Sequence, residues 1–496
     1  MIAAAFPDFL KRLGRRPVLA ASLGSLALAL LLLPTLDLAV HRQDPWPELA
    51  RLARGLAVPR VEEWRELGGA LLTTIAFAFA AVPFAAVAGV ALALAYRMWA
   101  VRWLCACVRA VHEVFWGLLF MQIFGLSALT GVLAIAVPYA AIFARVFADL
   151  FAQQSPLPGR AIGWAGRGAS GWLYAVAAQA WPSAAAYLRY RFECALRAST
   201  ILGFIGLPTL GFHLESAFKE GHYAEAGGLL WAFYLLLAGI RFWAARPWVP
   251  LWCLAAWWLL PESPPLQTSL LGQFFGHDLW PAPLREGDWS GALRWYGAEL
   301  LQVALPAAGR TLAISLVALA LAGVSVLGLY PLASRAVARR LAPAGHALLL
   351  FLRATPELIL AFVLLLLLGP SALPAVVALA VHNAAIVAYL SAREADRLPL
   401  RPDAPRAANL WAYEMTPRLW PRAAALLAYR FEVILRESAI LGILGVWTLG
   451  LYIDTAFAEL RLPRALFLIA VTAALNVAVE ACTRRLAVGR GAFAGG

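Results

Sequence analysis

The sequence predicts an all-α protein that crosses a membrane many times, with about twelve helices in two parallel six-helix repeats. Three observations predict it. Of 496 residues, 62% are hydrophobic and 14% charged, too little charge to cover a soluble surface of that size. Apolar runs near 20 residues recur along the chain, a length that crosses a hydrocarbon core of about 30 Å. The stretch "YRFECALRASTILGFIG" at 190–206 returns as "YRFEVILRESAILGILG" at 429–445, the mark of an internal duplication.

Val18–Val40 is the first run. It is long and lacks a small-residue cleavage pattern, so it reads as an uncleaved helix and not a signal peptide. Leu67–Tyr96, Trp103–Phe124, Ala128–Phe151, Trp181–Ile205 and Glu225–Trp243 complete a first repeat over residues 1–246. Trp248–Leu260 (a short run), Leu300–Tyr330, Gly345–Gly369, Ser371–Ala392, Trp420–Leu444 and Arg464–Ala481 make the second, over 247–496. Lys11, Arg12, Arg15 and Arg16 place the N-terminus in the cytoplasm by the positive-inside rule. Counting from there, the Arg-bearing loops at 97–102, 160–167, 241–246, 335–340, 393–422 and 484–485 all fall inside, with the C-terminus. The outer segments 41–66 and 261–299 mix acids with bases. An even number of crossings per repeat gives both copies the same orientation, related by an axis along the membrane normal.

The net charge of +13 is therefore a topology signal. No basic patch on a soluble domain exists to hold nucleic acid. The five Cys, at 105, 107, 194, 253 and 482, form no CxxC and no metal spacing. His213 and His382 are isolated and read as packed polar residues, so no metal site is expected. Without HExxH or a nucleophile constellation, catalysis is not expected either.

At an offset of 239 the repeat aligns Trp181-Pro182 with Trp420-Pro421, Glu193 with Glu432, Arg197 with Arg436 and Ser199 with Ser438. Gly206, Thr209 and Glu215 meet Gly445, Thr448 and Asp454. At an offset of 244, Arg109 and Glu113 meet Arg353 and Glu357. Glu193/Arg197 and Glu432/Arg436 are i,i+4 pairs in apolar helices. A charge at that depth faces a partner or a wet cavity, so the pairs read either as interhelical clamps or as the lining of a path for an anion. "GFIGLPTLG" and "GILGVWTLG" then break each helix. They read as paired constrictions or as ordinary turns, with Glu215 and Asp454 just beyond. The inside loops 152–180 and 393–419 carry "RGASGWLY" and "RAANLWAY". A short helix there offers Trp172 and Trp411 to a cytoplasmic partner, or anchors them at the membrane surface.

On these residues the chain resembles the membrane permeases of ABC-type importers, in their phosphonate-type branch. The resemblance rests on "GAS-G-W" (168–172), the Trp-Pro pairs, "YRFE" with its following Arg and Ser, "ILG", and "LRATPEL" at 352–358. It covers the core helices of both halves and implies the type I importer permease fold, fused in one chain. It implies a permease of the inner membrane, in contact with lipid, that moves a small phosphorus oxyanion (phosphonate, phosphite or phosphate-like) and performs no catalysis. A periplasmic solute-binding protein would deliver the solute, and a cytoplasmic ATPase dimer would dock on the loops at Arg167, Gly168, Ala169, Ser170, Trp172 and at Arg406, Ala408, Asn409, Trp411. ATP, the cofactor of those partners, is not expected here, because the chain has no GxxxxGK[ST]. Glu193, Arg197, Ser199, Gly206, Thr209 and Glu215, with Glu432, Arg436, Ser438, Gly445, Thr448 and Asp454, are the implied path or gate. The chain departs from the pattern in places. Ala407 stands where the family keeps Gly, prolines 399, 402 and 405 crowd the second loop, and Leu-Pro-Thr and Val-Trp-Thr fill the constrictions. Asymmetric docking is therefore expected. The alternatives are an ABC permease for an amino acid, a metal or another oxyanion, and an ion-coupled secondary transporter.

Overall fold

The computed structural model describes residues 17–41, 44–162, 168–245, 247–263 and 268–488. They are helical, with no strand among them. The longer helices are α1 (Pro17–Leu32), α2 (Trp46–Ala57), α3 (Trp64–Leu94), α4 (Trp99–Ala110), α5 (Glu113–Phe124), α6 (Ala128–Ala152), α7 (Ala178–Ile201), α8 (Leu210–Lys219), α9 (Tyr223–Ala238) and α10 (Val249–Leu259). The second half adds α11 (Leu305–Ala333), α12 (Ala342–Ala354), α13 (Glu357–Leu368), α14 (Ala372–Ala395), α15 (Thr416–Ile440), α16 (Leu449–Ala458) and α17 (Leu462–Val488). Among the described residues six helices are long and apolar enough to cross a membrane, and ten spans result if each of four bent helix pairs is one. α9 and α10 are apolar but shorter. Leu31 is 74% and Trp258 82% exposed, apolar surface suited to lipid and not to water.

Two expected spans are not straight. Trp103–Phe124 and Gly345–Gly369 each turn by 93°, between α4 and α5 and between α12 and α13. Twelve residues of helix reach only about 18 Å, short of a full crossing. In the first half the turn is extended backbone at Val111 and His112, and His112 Nδ1 accepts from Val114 N at 3.3 Å. In the second, Pro356 has no N–H to give and holds Thr355 in the extended region. Hydropathy alone shows neither corner.

The compact units do not follow the boundary between residues 246 and 247. One unit is Leu49–Leu279; the other is Met1–Glu48 with Trp280–Gly496. The first helix of each repeat has changed sides. α1 packs on α11 and α15, and Trp420 Nε1 donates to Ser22 Oγ at 3.1 Å. α10 packs on α3, with the Trp252 ring 6.2 Å from that of Phe79. The exchange recurs at the start of the fourth span. Ala128 N donates to Ser263 Oγ at 3.1 Å, and its match Ala372 N to the Asp37 carbonyl at 2.8 Å. Each bond satisfies a first-turn amide that the helix cannot.

Within each unit the core is α3 against α6, and α11 against α14. α6 buries Ala134, Ala136 and Ala144, and α14 buries Ala380, Ala384 and Ala388. Small side chains let helix backbones approach where lipid offers no hydrophobic drive to associate.

Candidate functional site

The two glycine breaks are built alike. α7 ends in a tight turn at Leu202–Ile205, Gly206 takes φ +94°, and α8 follows; α15, Leu441–Leu444, Gly445 at φ +85° and α16 repeat this. The helices bend by 50° and 45° there. The left-handed turn favours glycine. A Cβ on Gly211 would lie 1.8 Å from the Thr200 carbonyl oxygen, and one on Gly442 2.0 Å from Leu451 N. The joint is thus packed backbone to backbone.

Hydroxyls fasten it. Ser199 Oγ donates to the Thr74 carbonyl at 2.9 Å, and Thr74 Oγ1 accepts from Leu210 N at 2.9 Å. In the second half, Ser438 Oγ meets Ser315 Oγ at 2.7 Å, and Thr311 Oγ1 accepts from Leu449 N at 2.9 Å. Thr209 and Thr448 reach back to the carbonyls of Thr200 and Ala439, at 3.5 and 3.2 Å. Ser199, Thr209, Ser438 and Thr448 are wholly buried. Thr74 and Thr311 were not legible as members of the joint. Their one signal is a hydroxyl within a largely apolar run. Past the break, Glu215 pairs with Lys219 at 2.6 Å, and Asp454 is half-buried.

One turn into α7 and α15 from their middles lies the charged layer. Glu193, Arg197, Glu432 and Arg436 are all half-buried. Arg197 Nη2 lies 3.6 Å from Cys194 Sγ. Glu193 forms no ion pair among the described residues, so it is not clamped to Arg197. The Arg of "YRFE", which the pair-spacing argument passed over, is held in both halves. Arg430 Nε donates to Asn383 Oδ1 at 2.6 Å, its Nη2 stands 3.5 Å from Glu437, and Asn383 Nδ2 donates to Glu437 at 3.3 Å. Arg191 instead donates through Nε and Nη2 to the Tyr187 hydroxyl, at 2.9 and 2.7 Å.

His382 is not isolated. It is buried on α14, its Nδ1 donates to the Thr355 carbonyl at 2.9 Å, and its Nε2 stands 3.8 Å from Glu357. Ligand atoms of Glu357, His382 and Glu437 lie within 4.8 Å of one another, a set that could hold a cation. In the first half, Pro138 and Ala198 occupy the places of His382 and Glu437, and Glu113 has His112 beside it at 3.6 Å.

The loop residues fall on two faces. Arg167 lies outside the described residues. Gly168, Ala169 and Ser170 are exposed, as are Arg406, Ala408 and Asn409. Trp172 and Trp411 are turned inward: the Trp172 ring meets Phe151 edge-on at 5.1 Å, and Trp411 Nε1 donates to the Leu327 carbonyl at 3.1 Å. The outward aromatics are Tyr174 and Tyr413, another matched pair, 73% and 75% exposed. The second loop is further stapled by Glu414, which binds Arg401 and, at 2.7 Å, Arg418; the matching residue in the first half is Ala175.

No known family profile matches the chain, and no solved structure does. The phosphate-import permease protein PhnE of Mycolicibacterium smegmatis is 28% identical over 476 residues, 88% of each chain. The phosphite transport system permease protein PtxC of Stutzerimonas stutzeri is 29% identical over 194 residues, 37% of this chain and 70% of its own. The first match runs through both repeats, and the second is shorter than one. The chain is an all-helical protein with several apolar helices of membrane-spanning length, similar along most of its length to a phosphate-import permease and in part to a phosphite transport permease.

Proposed function

We propose that the chain is the translocation subunit of an ATP-driven importer, carrying a small phosphorus oxyanion inward across the plasma membrane. Its termini are cytoplasmic. An ATPase dimer hydrolyses ATP on the cytoplasmic loops, and a solute-binding protein delivers the anion from outside. The match to the phosphate-import permease along 88% of the chain carries this reading. The repeated loops support it, since Gly168–Ser170 with Tyr174, and Arg406–Asn409 with Tyr413, are exposed at matching places of the two copies, where two copies of one partner could dock. The glycine joints suit a gate: each sets a short helix at a fixed bend by buried backbone contacts.

The test is to purify the tagged chain from its native membrane, size the copurifying subunits and assay ATP hydrolysis. Two ATPase subunits per chain, with hydrolysis stimulated by the binding protein loaded with phosphate, phosphite or a phosphonate, is the expected result. A chain that purifies alone and carries solute down an ion gradient would make it a secondary transporter instead.

A further inference from the structure

We propose that Arg191, in the first half only, is the group that binds the transported anion, and that its match Arg430 is not. The inference rests on the importer reading above and adds a binding residue to it. Both arginines stand second in the same "YRFE" phrase, but their surroundings differ in charge. Arg430 has Glu437 at 3.5 Å and Asn383 at 2.6 Å. Its charge is answered within the protein. At the places of Glu437 and Asn383 the first half has Ala198 and Tyr139. No carboxylate lies within ion-pair distance of Arg191 among the described residues.

A cage of tyrosines takes the carboxylate's place. The guanidinium carbon lies 5.2, 5.1 and 5.8 Å from the ring centres of Tyr139, Tyr187 and Tyr190. Ring faces attract a cation but do not neutralise it. Burying a guanidinium without a countercharge is costly, so the cage holds a cation whose natural complement is a visiting anion. Its two bonds to the Tyr187 hydroxyl leave the rest of its five N–H donors uncommitted. A guanidinium edge matches two oxygens of a phosphate, phosphite or phosphonate at once. Tyr139 is buried and Tyr190 is 52% exposed, so the cage is closed at its base and open at its rim. The duplicated chain has thus kept one arm for the solute and turned the other into internal structure.

The experiment uses the complete importer, reconstituted with its ATPase and binding protein, and follows uptake of labelled phosphate and phosphite. Two variants are compared with the parent. Ala198→Glu supplies Arg191 with the carboxylate that Arg430 already has. Arg191→Lys keeps the charge and loses the fork. Both are expected to raise KM about tenfold or more, the effect of one charge-assisted bidentate contact, while Arg430→Lys leaves KM within about twofold. Phosphate is also expected to raise the melting temperature of the parent but not of Arg191→Lys, which keeps a readout should Ala198→Glu fail to fold. Lower Vmax and melting temperature with KM unchanged would make Arg191 a packing residue and overturn the proposal. So would an equal KM effect of Arg430→Lys. If the parent carries a different anion, the importer's assigned solute fails and the same variants are read on that anion; if it carries an uncharged or cationic solute, both fail.

Discussion

Gly168 and Ala407 stand at the same point of the two loops, each just before the helix that carries the inward-turned Trp. Gly168 has φ +100° and Ala407 φ +54°. An L side chain in the left-handed region costs about 1–2 kcal/mol, and glycine avoids it. Ala407 is exposed, so nothing else there needs the methyl group. Ala407→Gly should therefore stabilise the purified chain by about 1 kcal/mol, seen as a higher melting temperature in detergent; a lower one would show that the strain is not relieved there. The departure is visible in the sequence as an Ala where the first copy has Gly168, because strain of this kind belongs to one residue. Arg191 and Arg430 lie at the opposite extreme. The phrase that contains them is written twice, yet what separates them, Tyr139 against Asn383 and Ala198 against Glu437, lies partly on another helix. Spacing within a helix points to Glu193 and Arg197, and misses a partner that arrives from elsewhere.

The glycine joint is the element whose construction is most nearly the same in both halves. Its glycines are legible from the sequence, because glycine is favoured at the left-handed turns of Gly206 and Gly445 and is needed where Gly211 and Gly442 meet a neighbouring backbone. The threonine that closes it is not, since Thr74 and Thr311 reach amides 136 and 138 residues away. Replacing either with Val leaves a buried N–H at Leu210 or Leu449 without its acceptor, which should cost about 1–3 kcal/mol at each site. The check is the melting temperature of Thr74→Val, Thr311→Val and the double variant. The two sites stand in separate compact units, so the losses should add within about 0.5 kcal/mol; a double variant no worse than either single would show that the joints are not independent. The corners at 93° were hidden for another reason. Hydropathy measures how apolar a run is, and a run stays apolar around a corner. Of the two breakers, Pro356 can be read in "LRATPEL", whereas His112 acts through a cap on Val114 that depends on the turn already being formed.

For the whole molecule, the duplication was legible and the exchange of first helices was not. Nothing in α1 or α10 names the repeat each will join. The exchange predicts how the chain divides. A fragment of residues 49–279 keeps α10 on α3, with Trp252 against Phe79. A fragment of residues 1–246 loses that cover and carries α1 without its seat on α11 and α15. The first should run as a single species in detergent by size-exclusion chromatography and the second should aggregate. The reverse would mean that the exchanged helices add nothing to either unit.

The exchange also sets a clock on synthesis. Ser22 is made long before its partner Trp420, which comes 398 residues later. At ribosomal speeds of roughly 5–20 residues per second, that is an interval of about 20–80 s. Until α11 is made α1 has none of its seat, and until α15 is made it has only part of it. α1 is thus made well before both helices that seat it, α11 and α15.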